Sequence, residues 1–305
     1  MISIVIVNWN SGQFLGKCVR SLFDNAADSQ IVIVDNASTD SSLDFIKESG
    51  TNILVIRNNR NAGFAAGCNL GWRSSSGTHI LFLNPDTEAY PDSIACLDRA
   101  LVNDSSVWAI GGRLVSTSGR TGDYLRPFPT VWRVATDAFF IDELCRIGRS
   151  FHQPGNSNGP IEADQPAAAC LMVSKPALEK VGGFDEAFYP AWFEDVDLCR
   201  RIRNQGGRIQ YQPAARFLHH GGSSLDRMSR QTFLEYFHTN QIRYFLKHHG
   251  PQAASTVRKL VICGLLLRSV ISLAFPLAPE SSRLSSAKIF LETARRFLQS
   301  HGVQA

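Results

Sequence analysis

What this sequence lacks narrows it before what it contains. No CxxC pair occurs, and the seven cysteines are odd in number and scattered without a repeating spacing, which fits a reducing compartment and not a disulfide framework. Neither a GxGxxG turn between strand and helix nor a GxxxxGK(S/T) loop is present, so dehydrogenase and P-loop readings lose their support. No secretory signal opens the chain. The apolar start at residues 2–7 is short, has no basic leader and runs straight into Asn8, which points to a protein made and kept in the cytoplasm. No apolar stretch is clean enough over roughly 20 residues to span a bilayer; the strongest, residues 260–279, contains Arg268 and two prolines. The net charge of +4 is too small to argue for a nucleic-acid partner. Internal repeats and low-complexity tracts are absent as well.

What is present describes an α/β protein. Apolar residues make up 44% of the 305 and charged residues 19%, enough for a sizeable core in one large domain or a principal domain with an appendage. Through the first third, four short runs rich in β-branched residues (2–7, 31–34, 53–56 and 80–83) alternate with helical stretches (13–23, 41–47 and 65–74). Such runs read as strands buried on both faces, and the alternation predicts a parallel sheet with right-handed crossovers. Ligands sit beyond the carboxyl ends of the strands in these sheets. Polar residues follow each run at that end: Asn8 and Asn10, Asp35 and Asn36, Asn58 and Asn61, Asn84 and Asp86.

Residues 112–165, rich in Gly, Pro, Ser and charge, predict loops and short elements covering the site. Residues 167–173 read as a central strand, 195–203 as a helix ended by Gly206-Gly207, and 208–211 as a further strand. From residue 231 onward the pattern is helical, and basic residues recur from Arg227 to Arg296. This part reads as a helical appendage, with peripheral contact to an anionic membrane surface as the alternative. The expected division is a domain over residues 1–225 and a helical region over 226–305.

Four constellations can carry chemistry. Asn84-Pro85-Asp86 stands where a strand should end and a turn begin. A carboxylate there suits a hard divalent cation, Mg2+ or Mn2+, that bridges two phosphates; a solvated aspartate in a proline turn is the competing reading. Trp192-Phe193-Glu194-Asp195-Val196-Asp197 sets three carboxylates at a helix N-terminus. Some of this acidity can be capping, Asp197 and Arg201 can pair at i, i+4, and one carboxylate facing the site can take a proton from an attacking hydroxyl. In His219-His220-Gly221-Gly222-Ser223-Ser224 two adjacent histidines on a strand face opposite ways, so only one can join a metal site with Asp86. Finally, Asp35 can accept a hydrogen bond from the imide N–H of uracil or thymine, a proton that cytosine lacks, or can cap the next helix. Capping is the better reading for Asp40. The stretch 61–69, with Asn61 and Gly63, can open a helix beneath ribose or phosphate.

In combination and in order, these segments resemble family 2 glycosyltransferases. The resemblance rests on residues 4–10 (IVIVNWN), 34–41 (VDNASTDS), 61–65 (NAGFA), 83–87 (LNPDT), 182–186 (GGFDE), 194–198 (EDVDL) and 219–222 (HHGG), and spans roughly residues 2–224. It is nearest to the rhamnosyltransferase-like branch, which decorates cell-surface polysaccharides. The resemblance implies a GT-A fold, a Rossmann-like nucleotide-sugar-binding domain with a mixed, mostly parallel central sheet, and an inverting mechanism. It further implies that Asp35 binds the base, that Asp86 holds the metal with His219 as a second ligand, that Asp195 is the general base, and that Glu194 positions it or touches the acceptor. Asn8, Asn10, Asn61, Gly63 and Asn84 would line the nucleotide-sugar site, and Trp192 the acceptor site. The donor implied is dTDP-rhamnose, with UDP-hexose or UDP-galactofuranose as rivals, and the acceptor a saccharide or lipid-linked saccharide. One departure from the family is that its double-carboxylate DxD stands here as Asn84-Pro85-Asp86, so the donor's phosphates would supply much of the metal's affinity.

Two other classes compete. A nucleotidyltransferase should carry a basic, glycine-rich loop after its first strand, and here that position reads Asn8-Trp9-Asn10-Ser11-Gly12. A binding module that has lost turnover has little reason to keep Glu194 and Asp195. Oligomeric state, a homo-oligomer included, is open at this level.

Overall fold

A computed structural model describes residues 1–26, 28–48, 53–118, 125–140, 159–221, 228–274 and 280–299. Glycine and serines 222–224, part of the expected loop region and residues 275–279 fall outside these. The chain divides into two compact units, one formed by Met1–Phe128 with Phe151–Arg227 and the other by Pro129–Ser150 with Met228–Ala305.

The first unit is built on a sheet of nine strands among the described residues. Strands β1 (Ile2–Asn8), β2 (Gln30–Asp35), β3 (Ile53–Arg57) and β4 (His79–Leu83) are parallel neighbours in the order β3-β2-β1-β4. They are the four apolar runs expected, each extended by a residue or two. Beyond β4 lie β10 (Cys170–Ser174), β6 (Val107–Val115), β11 (Arg208–His219) and β5 (Thr87–Ala89). The antiparallel members are β10, against both β4 and β6, and β5, against β11; β8 (Ile161–Glu162) also pairs antiparallel with β11. The sheet is therefore mixed and mostly parallel.

Alternation along the strands explains why these runs are apolar throughout. Ile4 and Ile6, Ile31 and Ile33, Leu81 and Leu83 face one core, which α1 (Gln13–Asn25) and α3 (Ser93–Asn103) cover with Leu15, Val19, Leu22, Ile94 and Leu97. Val5 and Val7, Val32 and Val34, Ile80 and Phe82 face the other, covered by α2 (Phe64–Arg73), α5 (Lys175–Val181) and α6 (Glu194–Asn204). The approach of α2 to β1 is close enough to demand glycine. A Cβ at Gly67 would lie 2.6 Å from a Val7 methyl, and one at Gly71 only 2.3 Å from a Val5 methyl.

Two expected strands are placed differently. Residues 167–173 do not begin as a strand: Cys170 N–H closes a turn onto the Ala167 carbonyl (3.2 Å), and β10 starts there. The 208–211 strand instead runs on to His219, twelve residues long. Its pairing with β6 slips between Gln212 and Arg216, where Pro213 has no N–H for the ladder. The expected helix at 41–47 is a 3₁₀ helix, Ser41–Glu48. A two-stranded ribbon, β7 (Leu125–Arg126) with β9 (Gln165–Pro166), completes the unit.

The second unit is helical: α4 (Val131–Ala138), α7 (Arg230–Ala274, broken at Gly250 where φ is 84°) and α8 (Glu280–Gln299). Arg268, the charge that interrupts the apolar 260–279 stretch, donates to the carbonyls of Asp137 (2.8 Å) and Ala138 (3.2 Å) and lies over the Phe140 ring. A cavity of about 380 Å³ lies within this unit, lined by Phe140, Phe233, Phe237, His238 and Leu265 among others. No described helix is long and apolar enough to cross a membrane.

Candidate active site

The carboxyl ends of β1, β2 and β4 and the head of β10 meet at one edge of the sheet, and the singled-out residues gather there. In the β-ladder Asn8 lies opposite Asp35. The Asn8 amide donates to Asp35 Oδ1 (2.8 Å), Ser38 Oγ (3.0 Å) and Ser42 Oγ (2.9 Å), and its own oxygen accepts from Ser11 Oγ. Fully buried, Asn8 fixes the loop and the Asp35 carboxylate. Asp35 takes a second hydrogen bond from Ser38 N–H (3.2 Å), and each of its oxygens retains further accepting capacity. Asn10, in the left-handed region at φ 51°, accepts from Thr39 N–H (2.7 Å). Asp40 accepts from Ser42 N–H (3.2 Å) and Gly12 N–H (2.9 Å), the capping role expected of it.

Asn61 accepts from Gly63 N–H (2.9 Å), and the Gly63 carbonyl accepts from the Asn36 amide (3.1 Å). At φ 89°, with Tyr189 ring carbon 2.9 Å and Pro190 carbonyl 3.1 Å from where a Cβ would stand, Gly63 has no substitute of ordinary geometry. The Phe64 N–H donates to that same Pro190 carbonyl (2.8 Å). The loop opening α2 is thus tied to the loop that leads into Glu194. Trp192 and Phe193 in that second loop are both left-handed, at φ 73° and 70°. Two such residues in succession are strained, roughly 1–3 kcal/mol each, and the contacts to Gly63 and Phe64 hold their loop in place. Trp192 is half-buried.

The Asn84-Pro85-Asp86 segment is a turn, closed by Thr87 N–H onto the Asn84 carbonyl (3.1 Å). Asp86 is only 5% exposed, and its Oδ1 lies 3.3 Å from His219 Nε2. The next histidine takes a different carboxylate, His220 Nε2 lying 2.6 Å from Glu88 Oε1, while its backbone N–H donates to the Asp86 carbonyl (3.0 Å). Opposite facing of the pair therefore gives two parallel carboxylate–imidazole contacts. Glu88 carries no motif, and its place follows from β5 pairing with the end of β11, a contact that local sequence does not encode.

At the head of α6 the three carboxylates separate. Asp197 is buried and binds Arg201 Nε (2.7 Å), whose guanidinium also donates to the Val181 carbonyl (2.7 Å), a structural pair. Asp195 is half-buried, with Oδ2 accepting from Ala168 N–H (3.2 Å) and Oδ1 from Val196 N–H (2.8 Å). Loss of solvation raises its pKa above the ordinary aspartate value, opposed by those amides and by the positive charge of Arg126 on β7. Glu194 is 5% exposed with one carboxyl oxygen unpartnered, and burial beside Asp195 pushes its pKa well above the usual range. Arg126 gave no signal in the sequence because it sits on a two-residue strand inside the irregular region.

Asn84 and Asp195 are brought together by one turn. The Asn84 N–H donates to the Ala169 carbonyl (3.1 Å), and the neighbouring Ala168 N–H donates to Asp195. The two halves of the site therefore hang from adjacent residues.

Against known proteins, the model described as "Glycosyl transferase family 2" matches residues 3–182, more than half of the chain. The chain belongs to that family. Among curated relatives of this glycosyltransferase, an N-acetylglucosaminyl-diphospho-decaprenol L-rhamnosyltransferase of Mycobacterium tuberculosis is 24% identical over 88% of this chain and 92% of its own length. The rhamnosyltransferase WbbL of Escherichia coli is 25% identical over 72% and 83%. Solved structures share the fold. GalNAc-T7 with UDP, GalNAc and Mn2+ superposes with TM-score 0.60 at 16% identity, covering 99% of this chain, which spans 57% of that longer one. The mannosyltransferase PcManGT of Pyrobaculum calidifontis, in complex with GDP-Man and Mn2+, gives 0.56 at 13% identity, covering 99% of this chain and 88% of its own. The fold is GT-A, as the resemblance implied, and the enzyme is a glycosyltransferase with rhamnosyltransferase relatives.

Proposed function

We propose that this enzyme transfers rhamnose from dTDP-rhamnose, with inversion, to a hydroxyl of a lipid-linked saccharide. The observation that supports the reading is the shared turn at Ala168-Ala169, to which Asp195 and the Asn84-Pro85-Asp86 segment are both hydrogen-bonded. The rhamnosyltransferase relatives support the sugar, and the name of the mycobacterial relative supports a polyprenyl-diphosphate-linked acceptor.

Asp35, pinned by Asn8 and the Ser38 amide, would accept the imide N–H of a thymine or uracil ring. Asp195 takes the acceptor proton as the hydroxyl oxygen bonds the sugar's anomeric carbon from the face opposite the diphosphate. The bond from that carbon to the phosphate oxygen breaks, and the nucleoside diphosphate leaves with the electron pair. The raised pKa of Asp195 makes it a stronger base than a solvated aspartate, while its amide hydrogen bonds keep it ionised enough to act. Glu194, buried and favoured as the neutral acid, positions Asp195 and can donate toward the acceptor.

Asp86 and His219 fit a divalent cation in part: a buried carboxylate faces an imidazole nitrogen at 3.3 Å, but no group of three or more candidate ligands exists among the described residues. Those two residues would hold Mg2+ or Mn2+ together with the donor's phosphates. A cation there would offset the charge developing on the departing diphosphate. The test is a transfer assay with dTDP-rhamnose, UDP-glucose and UDP-galactofuranose as donors and a prenyl-diphosphate-linked N-acetylglucosamine as acceptor. Turnover with dTDP-rhamnose at least tenfold above the UDP-sugars supports the reading; preference for a UDP-sugar replaces the donor.

A further inference from the structure

The exposed side of α7 changes character along its length. After the break at Gly250 it carries Gln252, Thr256 and Lys259; then, at steps of four, three, four and three residues, come Cys263, Leu266, Val270 and Leu273. Such steps keep residues on one side of a helix. Leu266 is 37% exposed, Val270 62% and Leu273 51%, so the end of this helix shows water an apolar stripe.

The partner helix extends the patch. Ser269 Oγ donates to the Ala287 carbonyl (2.9 Å) and Arg258 Nε to the Phe297 carbonyl (3.0 Å), which sets α7 and α8 antiparallel in a defined register. Leu273, four residues past Ser269, then comes level with Leu284, three before Ala287. Leu284 is 54% exposed, and all four residues lie toward the end of the hairpin where α7 stops and α8 begins. Lys288, whose side chain is 75% exposed and pairs loosely with Glu292 at 3.9 Å, stands about 6 Å along α8 from Leu284.

Charge separates the two units sharply. Residues 129–150 and 228–305 hold 13 Lys and Arg against 6 Asp and Glu, net +7, whereas the remainder of the chain holds 18 against 21, net −3. A second copy docking through this unit would bring two units of net positive charge together. An anionic bilayer meets both properties, because apolar side chains enter the boundary between head groups and acyl chains while basic ones meet the phosphates.

We infer that this end of the α7–α8 hairpin, formed by Leu266, Val270, Leu273 and Leu284 with Lys288 behind them, is a docking surface for an anionic lipid bilayer. It gives the lipid-linked acceptor of the proposed reaction a means of reaching the enzyme, but the surface stands without that reading. Its test uses neither donor nor acceptor. Full-length protein is floated with vesicles of phosphatidylcholine alone or with phosphatidylglycerol added. The wild type is expected to float with the anionic vesicles, less so at high salt, and the triple variant Leu266→Ser, Val270→Ser, Leu273→Ser to bind about tenfold or more weakly. Its unfolding should stay cooperative with a loss of only a few degrees, because these side chains are partly exposed and Leu266, the most covered, is still 37% accessible. As a second variant, Lys288→Glu should weaken binding to the anionic vesicles alone. Wild type that ignores anionic vesicles overturns the inference, as does equal flotation of wild type and both variants. A triple variant that floats normally but turns a wild-type oligomer into a monomer on light scattering also overturns it, and reassigns the face to a second copy. None of these outcomes bears on the donor and acceptor assay.

Discussion

Replacing each carboxyl of Glu194 and Asp195 by its amide should have opposite consequences although the residues are neighbours. On the proposed roles, Asp195→Asn removes a base that acts only in the transition state, so transfer should fall 10²–10⁴-fold, about 3–5 kcal/mol of barrier. Donor affinity should stay within about twofold, because the lost group acts only on the acceptor. Glu194→Gln replaces a side chain that burial already favours as the neutral acid, and transfer should fall less than about tenfold. Stability supplies an independent reading. A carboxyl whose pKa is higher folded than unfolded contributes stability that is complete below its unfolded value, near 4.3, and is lost as pH rises toward the folded value. As pH rises above the unfolded value, wild type should lose stability relative to Glu194→Gln, at up to ~1.4 kcal/mol per pH unit. Single-turnover transfer, donor calorimetry and urea melts at pH 5 and pH 7 read the three quantities. The assignment fails if Glu194→Gln abolishes transfer while Asp195→Asn retains it, if Asp195→Asn loses donor affinity in step with turnover, or if the stability difference does not change with pH.

Three further outcomes are expected. Asp86→Ala should make donor-induced thermal stabilisation indifferent to a chelator, and a persisting chelator effect would remove Asp86 from the metal site. Gly71→Ala sets a methyl 2.3 Å from a Val5 methyl and should destabilise the protein by roughly 1–3 kcal/mol in chemical denaturation; an unchanged midpoint would show that α2 can slide on β1. His238 is held by burial, with a smaller push from Arg268, at a pKa of about 4, so acid protonates the unfolded chain first. Its neutral form stabilises fully above pH 6.5, and ~3 kcal/mol should be lost as pH falls from 6.5 to 4. His238→Leu should flatten that limb relative to wild type, and parallel curves would refute the cause.

The first four strands were legible because each is a short apolar run facing a core on either side, a pattern set by local residues alone. Asp40 as a cap and the Asp197–Arg201 pair were legible for the same reason, being contacts within a few residues. What escaped depends on distant pairing. The start of β10 is displaced by a turn that apolar composition does not reveal, and the reach of β11 to His219 depends on a slip at Pro213. Glu88 and Arg126 come beside the site only through strands of two or three residues. Asn8 was legible as polar at a strand end, but its direction, inward onto Asp35, Ser38 and Ser42, is set by a ladder between chain segments 27 residues apart.

The turn that opens β10 has a consequence for how such an enzyme can change. The segment bearing Asp86 and the helix bearing Asp195 are fastened to consecutive residues of the scaffold, through the Ala169 carbonyl and the Ala168 amide, so on the proposed roles this one turn sets the span between departing phosphate and incoming alcohol. An insertion at Ala168 or Ala169 would then separate the two segments at once.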